Sequence, residues 1–192
     1  MRTIRSLPSI VPTIRPARPE DERAIEAVHE AAIRAFGPEA YDEVQVSAWA
    51  NEGVDETGVG VGDVPDLEHD DRYAVVAEVD DAIVGFGRIR LGAVPDAPAE
   101  RLLELLDRPV AEVTAVYVHP DHARAGLGTA ILDALEARAR GEGAAVVGLL
   151  AAKNAVAFYE ANGYVAVASR PHEPADGVAL AATWMERRLD GE

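Results

Sequence analysis

The stretch Val118-His-Pro-Asp-His-Ala-Arg-Ala-Gly-Leu-Gly-Thr129 joins a predicted β-strand to a predicted helix through two closely spaced glycines. Residues 112–118 are predicted to form the strand, and apolar residues recur at helical spacing after the loop. Gly126 and Gly128 are therefore predicted to lie at the start of the helix. The first N–H groups of a helix have no acceptor within it and can bind an anion. We interpret this loop as a binding site for a phosphate group.

Two common phosphate-binding motifs do not fit the loop. The dinucleotide-binding fingerprint needs a third glycine, but Ile131 stands in its place and the turn after Val118 is too long. The nucleoside-triphosphate loop needs a following Gly-Lys-Ser or Gly-Lys-Thr, which the sequence does not have. A glycine before a helix also occurs as simple turn chemistry, so the loop alone does not identify its ligand.

A second motif, Asn154-Ala-Val-Ala-Phe-Tyr-Glu-Ala-Asn-Gly-Tyr164, is predicted to form a short helix that Gly163 ends before a further strand. Together the two motifs resemble the GCN5-related N-acetyltransferase (GNAT) family, whose signatures are V-x-P-x-x-R/Q-x-x-G-x-G/A and N-A-x-x-F-Y-x-x-x-G-F/Y. The matching residues are Val118, Pro120, Gly126 and Gly128, then Asn154, Ala155, Phe158, Tyr159, Gly163 and Tyr164. Ala123 departs from the pattern, because the family commonly has Arg or Gln there. The resemblance covers roughly residues 12–188 and is tightest over 112–165.

The resemblance implies an α/β fold: a mixed, mostly antiparallel, twisted sheet of about seven strands with helices on both faces. The apolar pattern independently predicts the order βααβββαβαββ, with a first strand at 13–16 and a last strand near 178–187. We expect one domain over residues 1–192, with its core at about 12–188. Residues 51–70 are predicted to form a mobile acidic loop, and residues 99–107 a helical insertion.

The resemblance also implies where acetyl-CoA binds. In the family, the strand at 112–118 separates from the strand at 145–150, and the pantetheine arm lies in the gap. The pyrophosphate would lie on the N–H groups of the glycine loop, at the positive end of the helix dipole. Asn154 is expected to contact the pantetheine arm, with a helix N-cap as the alternative or additional role. The other residues expected to bind the cofactor are Val116, Tyr117, Val118, Arg124, Ala125, Gly126, Leu127, Gly128 and Thr129.

Catalytic roles follow from the same resemblance. Tyr159 is the expected acid for the departing thiolate, because the family's tyrosine lies close to the thioester sulfur; a core aromatic is the alternative. Glu112 is the expected base for the amine, directly or through water, and a solvated carboxylate at a strand end is the alternative. His29 and His119 are further candidates for the base. The N–H group of Val118 or of a neighbour would stabilise the oxyanion.

Aromatic and histidine residues supply the remaining candidates. Tyr41, Trp49, Tyr117 and Trp184 are candidates for lining the acceptor pocket, with core positions as the alternative, which we favour for Trp49. His119 and His122 flank Pro-Asp, but no third ligand is evident. We therefore expect no metal site.

Composition limits the partners. The chain has 34 acidic and 18 basic residues and a net charge of −16, and Lys153 is its single lysine. Such a charge disfavours nucleic acid as a partner. The composition resembles that of proteins from salt-accumulating halophiles; an acidic mesophilic enzyme with a cationic substrate is the alternative. The absence of cysteine excludes an acyl-cysteine intermediate and fits a reducing compartment. Pro8 and Pro12 interrupt any apolar run near the amino terminus, which predicts no membrane span and a cytoplasmic protein.

We therefore expect an acetyl-CoA-dependent N-acetyltransferase that transfers the acetyl group directly to a primary amine. The acceptor is a small-molecule or peptide amine, and a homodimer is compatible with the sequence. Two alternatives stay open: transfer of another acyl group, and a noncatalytic acyl-CoA-binding regulatory module.

Overall fold

The amino-terminal part of the fold is one strand followed by two helices. A computed structural model describes residues 12–52, 71–105 and 108–189. Strand β1 spans Thr13–Pro16, helix α1 Glu22–Phe36 and helix α2 Glu43–Ala50. α1 ends at Phe36, before the helix-breaking pair Gly37-Pro38, and α2 begins with a capping box in which the Gln45 N–H donates to Asp42 Oδ1 at 2.9 Å.

A seven-stranded sheet forms the centre of the fold, in the order β1-β2-β3-β4-β5-β9-β6. Its pairs are antiparallel except β4 with β5, which are parallel. This confirms the predicted mixed, mostly antiparallel sheet. The further strands are β2 (Arg72–Val79), β3 (Ala82–Leu91), β4 (Val110–Val118), β5 (Val146–Ala152), β6 (Val165–Ser169), β7 (His172–Ala175), β8 (Val178–Leu180) and β9 (Ala182–Arg188). The further helices are α3 (Ala99–Leu105), α4 (Leu127–Gly141) and α5 (Val156–Ala161).

Helices cover both faces of the sheet, as the alternation along β2 shows. Val75 and Ala77 are buried in a cluster with Ile131, Leu132 and Leu135 of α4. The alternate residues Ala74 and Val76 are buried with Ile25 and Val28 of α1 and with Phe86. Successive side chains of a strand point to opposite faces, so α4 and α1 lie on opposite sides. The prediction of helices on both faces is therefore confirmed.

The parallel pair β4–β5 is short, and this feature positions the site. The two strands pair from Val110 with Val146 as far as Val113 with Leu149. Beyond that point residues 114–118 of β4 have no partner on β5, and residues 115–118 pair with β3 alone. The predicted separation of these strands is therefore present.

Two predicted elements need correction or lie outside the described residues. The last strand, predicted near 178–187, is two strands, β8 and β9. β8 pairs with β7 across a turn at Gly177 in a separate two-stranded sheet, and β9, which begins at Ala182, belongs to the main sheet. Of the acidic loop predicted at 51–70, residues 53–70 lie outside the described residues, as do residues 106–107 of the insertion, whose helix is described over Ala99–Leu105. None of the described helices is both long and apolar enough to cross a membrane.

Candidate active site

A cleft of about 200 Å³ opens where β4 and β5 separate. One wall is residues 114–118 of β4, whose backbone groups facing β5 have no strand partner. The opposite wall comes from the end of β5 and the start of α5. Unpaired backbone at a strand edge can bind an extended ligand in the way that a further strand would. The cleft is lined by Ala32, Ile33, Phe36, Gly37, Trp49, Val113, Thr114, Ala115, Val116, Tyr117, Val118, Leu150, Ala152, Asn154, Ala155 and Tyr159.

The loop after β4 presents backbone N–H groups. Arg124 and Gly126 both have positive φ, at 63° and 82°, and α4 begins at Leu127, between the two glycines that were predicted to lie at its start. The first hydrogen bond of the helix runs from the Ala130 N–H to the Gly126 carbonyl at 3.1 Å. The N–H groups of residues 127–129 therefore have no acceptor within the helix and are available to an anion.

The two glycines of the loop serve different purposes. A Cβ atom on Gly126 would have no heavy atom within 4 Å, so the space in front of the helix start is open there. A Cβ atom on Gly128 would lie 3.2 Å from Cζ of Phe158. Gly128 thus lets α4 pack closely against α5, and the second motif is held directly against the first. The sequence suggested only the approach of a phosphate as the reason for both glycines.

Arg124 is the one side chain of this loop that carries a full positive charge. It is exposed and forms no salt bridge with any residue in the described ranges. It occupies the position after Ala123, where the family commonly has Arg or Gln. Its guanidinium is therefore free to contact a phosphate.

Tyr159 lies in α5 and lines the cleft. Its side chain is 8% exposed, and its hydroxyl makes no hydrogen bond with the described residues. Burial raises the pKa of the Tyr159 phenol well above its usual value. The phenol therefore stays protonated at physiological pH and can donate its proton or a hydrogen bond into the cleft.

Asn154 also lines the cleft, but it is not the cap of α5. The N-cap position is Ala155, and Asn154 Nδ2 instead donates to the Phe36 carbonyl at 2.9 Å. This bond ties the end of β5 to the end of α1. The suggested N-cap role is wrong, because the helix begins two residues after Asn154.

A second cavity, of about 680 Å³, adjoins the cleft. The sheet face of β3 and β4 forms its floor, α1 forms one wall, and the end of α2 with the β7–β8 hairpin forms the other. The two cavities share Trp49, Val113, Thr114, Ala115, Tyr117, Leu150 and Ala152. A ligand in the second cavity therefore has access to the first where the two strands separate.

The β7–β8 hairpin contacts the residues just after α2 at one end of this second cavity. His172 Nε2 lies 2.8 Å from Glu52 Oε2, and both residues line the cavity. The hydrogen bond to Glu52 raises the pKa of His172, while burial acts in the opposite direction. This contact joins the two elements that form the wall opposite α1.

Glu112 lies in the floor of the second cavity. It is 1% exposed, it accepts a long hydrogen bond of 3.4 Å from the Asp96 N–H, and its Oε2 is 3.9 Å from Arg90 Nη1. Burial is the main cause that raises the pKa of Glu112 to about 8. The alternative of a solvated carboxylate is wrong, because the α3 segment covers this end of β4.

The two histidines proposed as alternative bases differ in position. His29 of α1 lines the second cavity, with its ring centroid 4.7 Å from that of Tyr117. Burial, aided by the charge of Arg88, lowers the pKa of His29, so its imidazole is neutral and can accept a proton. His119 lines neither cavity; its Nδ1 accepts from the Asp121 N–H at 3.3 Å after the end of β4.

The four candidate pocket aromatics separate into three groups. Trp49 and Tyr117 line both cavities, and Trp49 is only half-buried, so the core position favoured for Trp49 is wrong. Tyr41 lines the second cavity, but its hydroxyl accepts from the Lys153 N–H and donates to the Ala181 carbonyl, both at 2.7 Å.

Trp184 takes the core position that was the alternative to a place in the pocket. It is fully buried and lines neither cavity. Its indole packs over Gly148, where an added Cβ atom would lie 2.2 Å from the ring, and its Nε1 donates to Glu186 Oε1 at 2.8 Å. Because Gly148 has no side chain, the indole of Trp184 can pack directly over it in the core.

Two arginines of β3 are among the cavity residues that the sequence did not predict. Arg88 and Arg90 of β3 lie in the floor of the second cavity, on the same face as Phe86. Their alternation in the segment Phe86-Gly-Arg-Ile-Arg90 was the available signal, because residues two apart share one face of a strand. No group of three or more metal-ligating side chains occurs within residues 12–52, 71–105 and 108–189.

The similarity to known proteins agrees with this geometry. The family profile described as the Acetyltransferase (GNAT) family matches residues 25–164, more than half of the chain. The chain belongs to the GNAT family. The protein is accordingly an acyltransferase of the N-acetyltransferase type.

Solved structures share the GNAT fold along nearly the whole chain. A GCN5-related N-acetyltransferase from Rhodopseudomonas palustris is 28% identical with a TM-score of 0.72, and the match covers 93% of this chain and 96% of that one. PaiA N-acetyltransferase from Thermoplasma acidophilum, in complex with coenzyme A, is 19% identical with a TM-score of 0.67, covering 94% and 100%. The ribosomal-protein-S18-alanine N-acetyltransferase from Escherichia coli is 18% identical with a TM-score of 0.60, covering 95% and 96%. No curated protein matches the chain.

Proposed function

We propose that this GNAT protein transfers the acetyl group of acetyl-CoA directly to a primary amine of a small molecule. The observation that carries the proposal is the junction of two cavities at the unpaired segment of β4, residues 114–118. One cavity has the form of a cofactor cleft and the other can hold an acceptor beside it. Direct transfer needs both substrates side by side in one ternary complex.

The narrower cleft fits the pantetheine arm. Backbone groups of Val116, Tyr117 and Val118 line it without a partner on β5, and Asn154 and Tyr159 lie across from them. The pyrophosphate lies on the N–H groups of residues 124–129, with the Arg124 guanidinium beside them. The left-handed conformation at Gly126 keeps that position open. PaiA from T. acidophilum, which has the same fold, binds coenzyme A.

The wider cavity fits the acceptor. Its volume of about 680 Å³ lies within the range of about 300–1,000 Å³ that is usual for small-molecule sites. Glu112 takes a proton from the acceptor ammonium, directly or through water. A pKa of about 8 brings this carboxyl closer to the pKa of an alkylamine, about 10, which reduces the cost of the transfer. His29, neutral in the same cavity, is the other candidate base.

The neutral amine then attacks the acetyl carbonyl. A β4 N–H group in the segment that ends at Val118 donates to the oxyanion as it develops. When the carbon–sulfur bond breaks, Tyr159 donates its proton to the sulfur. The raised pKa of Tyr159 keeps this proton on the phenol until the thiolate, a stronger base than the thioester, forms.

The test is thiol release from acetyl-CoA across a panel of amines and peptides, in low and in molar KCl. Release with small amines, with binding of CoA measured separately, supports the proposal. Release with peptides alone would move the acceptor to a protein, as in the S18-alanine enzyme from E. coli. Tight CoA binding without release from any acceptor would favour the noncatalytic module. Release from longer acyl-CoAs in preference to acetyl-CoA would identify a different acyl group.

A further inference from the structure

Two guanidinium groups lie in the floor of the acceptor cavity. Arg88 and Arg90 alternate along β3, so both side chains lie on the face that also carries Phe86. Arg88 lies 5.4 Å from the Phe86 ring centroid. Arg90 is 23% exposed, which leaves its guanidinium in contact with the cavity. Two guanidinium groups in this floor are unexpected if the acceptor is only a cation.

Arg90 is weakly paired. Within the described ranges its one carboxylate neighbour is Glu112, whose Oε2 is 3.9 Å from Arg90 Nη1. Hydrogen bonds between nitrogen and oxygen are about 2.7–3.2 Å long, so this contact is too long to be one. The guanidinium fork therefore keeps donors that a planar anion such as a carboxylate can accept.

Arg90 is also close to the point of transfer. It pairs with Glu112 across the β3–β4 ladder, and Val113, the next residue, forms the last β4–β5 pair. Neighbouring strands are about 4.8 Å apart, and residues follow one another about 3.3 Å apart along a strand. A group held by Arg90 is therefore only a few atoms from the mouth of the cofactor cleft and adjacent to the proposed base.

The α1 wall of the acceptor cavity carries mostly negative charge. Glu22, Glu26 and Glu30 follow one another at four-residue spacing on α1 and line the same cavity, together with Arg23. Carboxylates on the α1 wall and guanidinium groups on the β3 floor separate the charges of the cavity. This separation matches a ligand that carries both an ammonium and an anion, and a polyamine would leave Arg90 facing like charge.

We propose that the acceptor is an amino acid whose carboxylate pairs with Arg90 while its amine faces the thioester. This inference rests on the proposed acetyl transfer. The amine nitrogen forms a bond to the acetyl carbon, the carbon–sulfur bond breaks, and the products are an N-acetyl amino acid and CoA. The ammonium loses two protons: one leaves through Glu112 to solvent, and the other replaces the proton that Tyr159 gives to the sulfur.

The test compares matched acceptors that differ in one charge. The twenty amino acids and their carboxamides are assayed by thiol release with the wild-type protein, Arg90→Gln, Arg90→Lys and Arg23→Gln. We expect the wild type to prefer at least one acid over its amide by at least roughly tenfold in kcat/KM. Arg90→Gln should remove this preference mainly through KM, and Arg90→Lys should restore part of it. Arg23→Gln removes the same charge from the α1 wall and should keep the preference.

The possible outcomes distinguish an incorrect acceptor from an incorrect reaction. If carboxamides or spermidine are acetylated as well as the acids, or if Arg90→Gln keeps the preference, the amino-acid acceptor is wrong and acetyl transfer stands. If no amine of either kind releases thiol although CoA binds, acetyl transfer itself fails and the acceptor assignment fails with it. Thermal unfolding and CoA affinity show whether Arg90→Gln is folded; if it is not, the wild-type ratio of acid to amide decides.

Discussion

Tyr159 faces the cofactor cleft and Glu112 faces the acceptor cavity, and the two cavities meet along residues 113–115 of β4. The proposed donor and the proposed acceptor of a proton thus lie on either side of the point where the two substrates would meet. This arrangement lets the two roles be tested separately.

Replacing Tyr159 by Phe should lower kcat by roughly 10²-fold, because proton donation to the leaving group is lost. The Kd of CoA, measured by calorimetry, should change little, since the ring remains in place. Tyr73→Phe on β2 is the matched control, because Tyr73 lines neither cavity, and it should retain full activity. Unchanged turnover in Tyr159→Phe would remove the phenol from the mechanism.

Replacing Glu112 by Gln should change the pH profile of kcat/KM. In the wild type the rate should rise with pH through an apparent pKa near 8, as the carboxyl becomes able to accept a proton. In the variant, kcat/KM should no longer change near this pKa and should depend on pH only through the ionisation of the acceptor amine. Glu43→Gln, at an exposed position on α2, serves as control. An unchanged profile in the Gln variant would transfer the role of base to another residue such as His29.

The same carboxyl should reduce the stability of the wild type at high pH. Its pKa in the folded protein, about 8, lies above the ordinary value of 4.5, so the folded state holds a proton that the unfolded state has released. The free energy of unfolding should therefore fall between these pH values, by up to about 1.4 kcal/mol per pH unit. Glu112→Gln should lack this slope. Denaturant titrations of both proteins at pH 5 to 9 measure the difference.

Replacing Gly126 by Ala should weaken CoA binding by at least roughly tenfold, because the new Cβ occupies the open space at the helix start. The positive φ also costs about 1 kcal/mol of stability. Gly143→Ala separates the two effects: Gly143 has φ 80°, equally open surroundings, and a position at the other end of α4. Both variants should lose stability, and Gly126→Ala alone should lose affinity. Equal CoA affinity in the two would contradict the proposed pyrophosphate site.

Molar KCl should raise the free energy of unfolding if the charge of −16 is an adaptation to salt. Screening shortens the Debye length from about 10 Å at 0.1 M to about 3 Å at 1 M, which weakens repulsion among the carboxylates. Sucrose at matched osmolality controls for effects that do not depend on charge. Equal stability in dilute buffer and in molar KCl would show that the acidic composition is not an adaptation to salt.

The two motifs predicted the centre of the fold well, because their chemistry is local. The strand at 112–118, the glycine loop and the helix of Tyr159 needed only spacing and turn residues to be recognised. The β7–β8 hairpin was missed, although Asp176-Gly177 is a strong turn signal between two short strands. The apolar pattern continues from β8 into β9, so the two were predicted as a single strand.

The layout of the acceptor cavity was beyond sequence reasoning because it depends on a β-bulge. Thr114 has no partner on β3: Arg88 pairs with Ala115, and Ile89 pairs with Val113. Strict alternation would have placed Glu112 and Ala115 on opposite faces, whereas the extra residue brings them to the same face. The burial that raises the pKa of Glu112, and its approach to Arg90, both follow from that irregularity.

The bridge that Tyr41 makes has a consequence for observing the enzyme at work. The Tyr41 hydroxyl accepts from the Lys153 N–H and donates to the Ala181 carbonyl. The Lys153 N–H therefore loses its acceptor whenever Tyr41, which precedes α2, separates from the end of β5. Deuterium uptake at that amide therefore reports how often Tyr41 separates from the end of β5. Slower uptake when both substrates are bound would indicate that the ternary complex stabilises this contact.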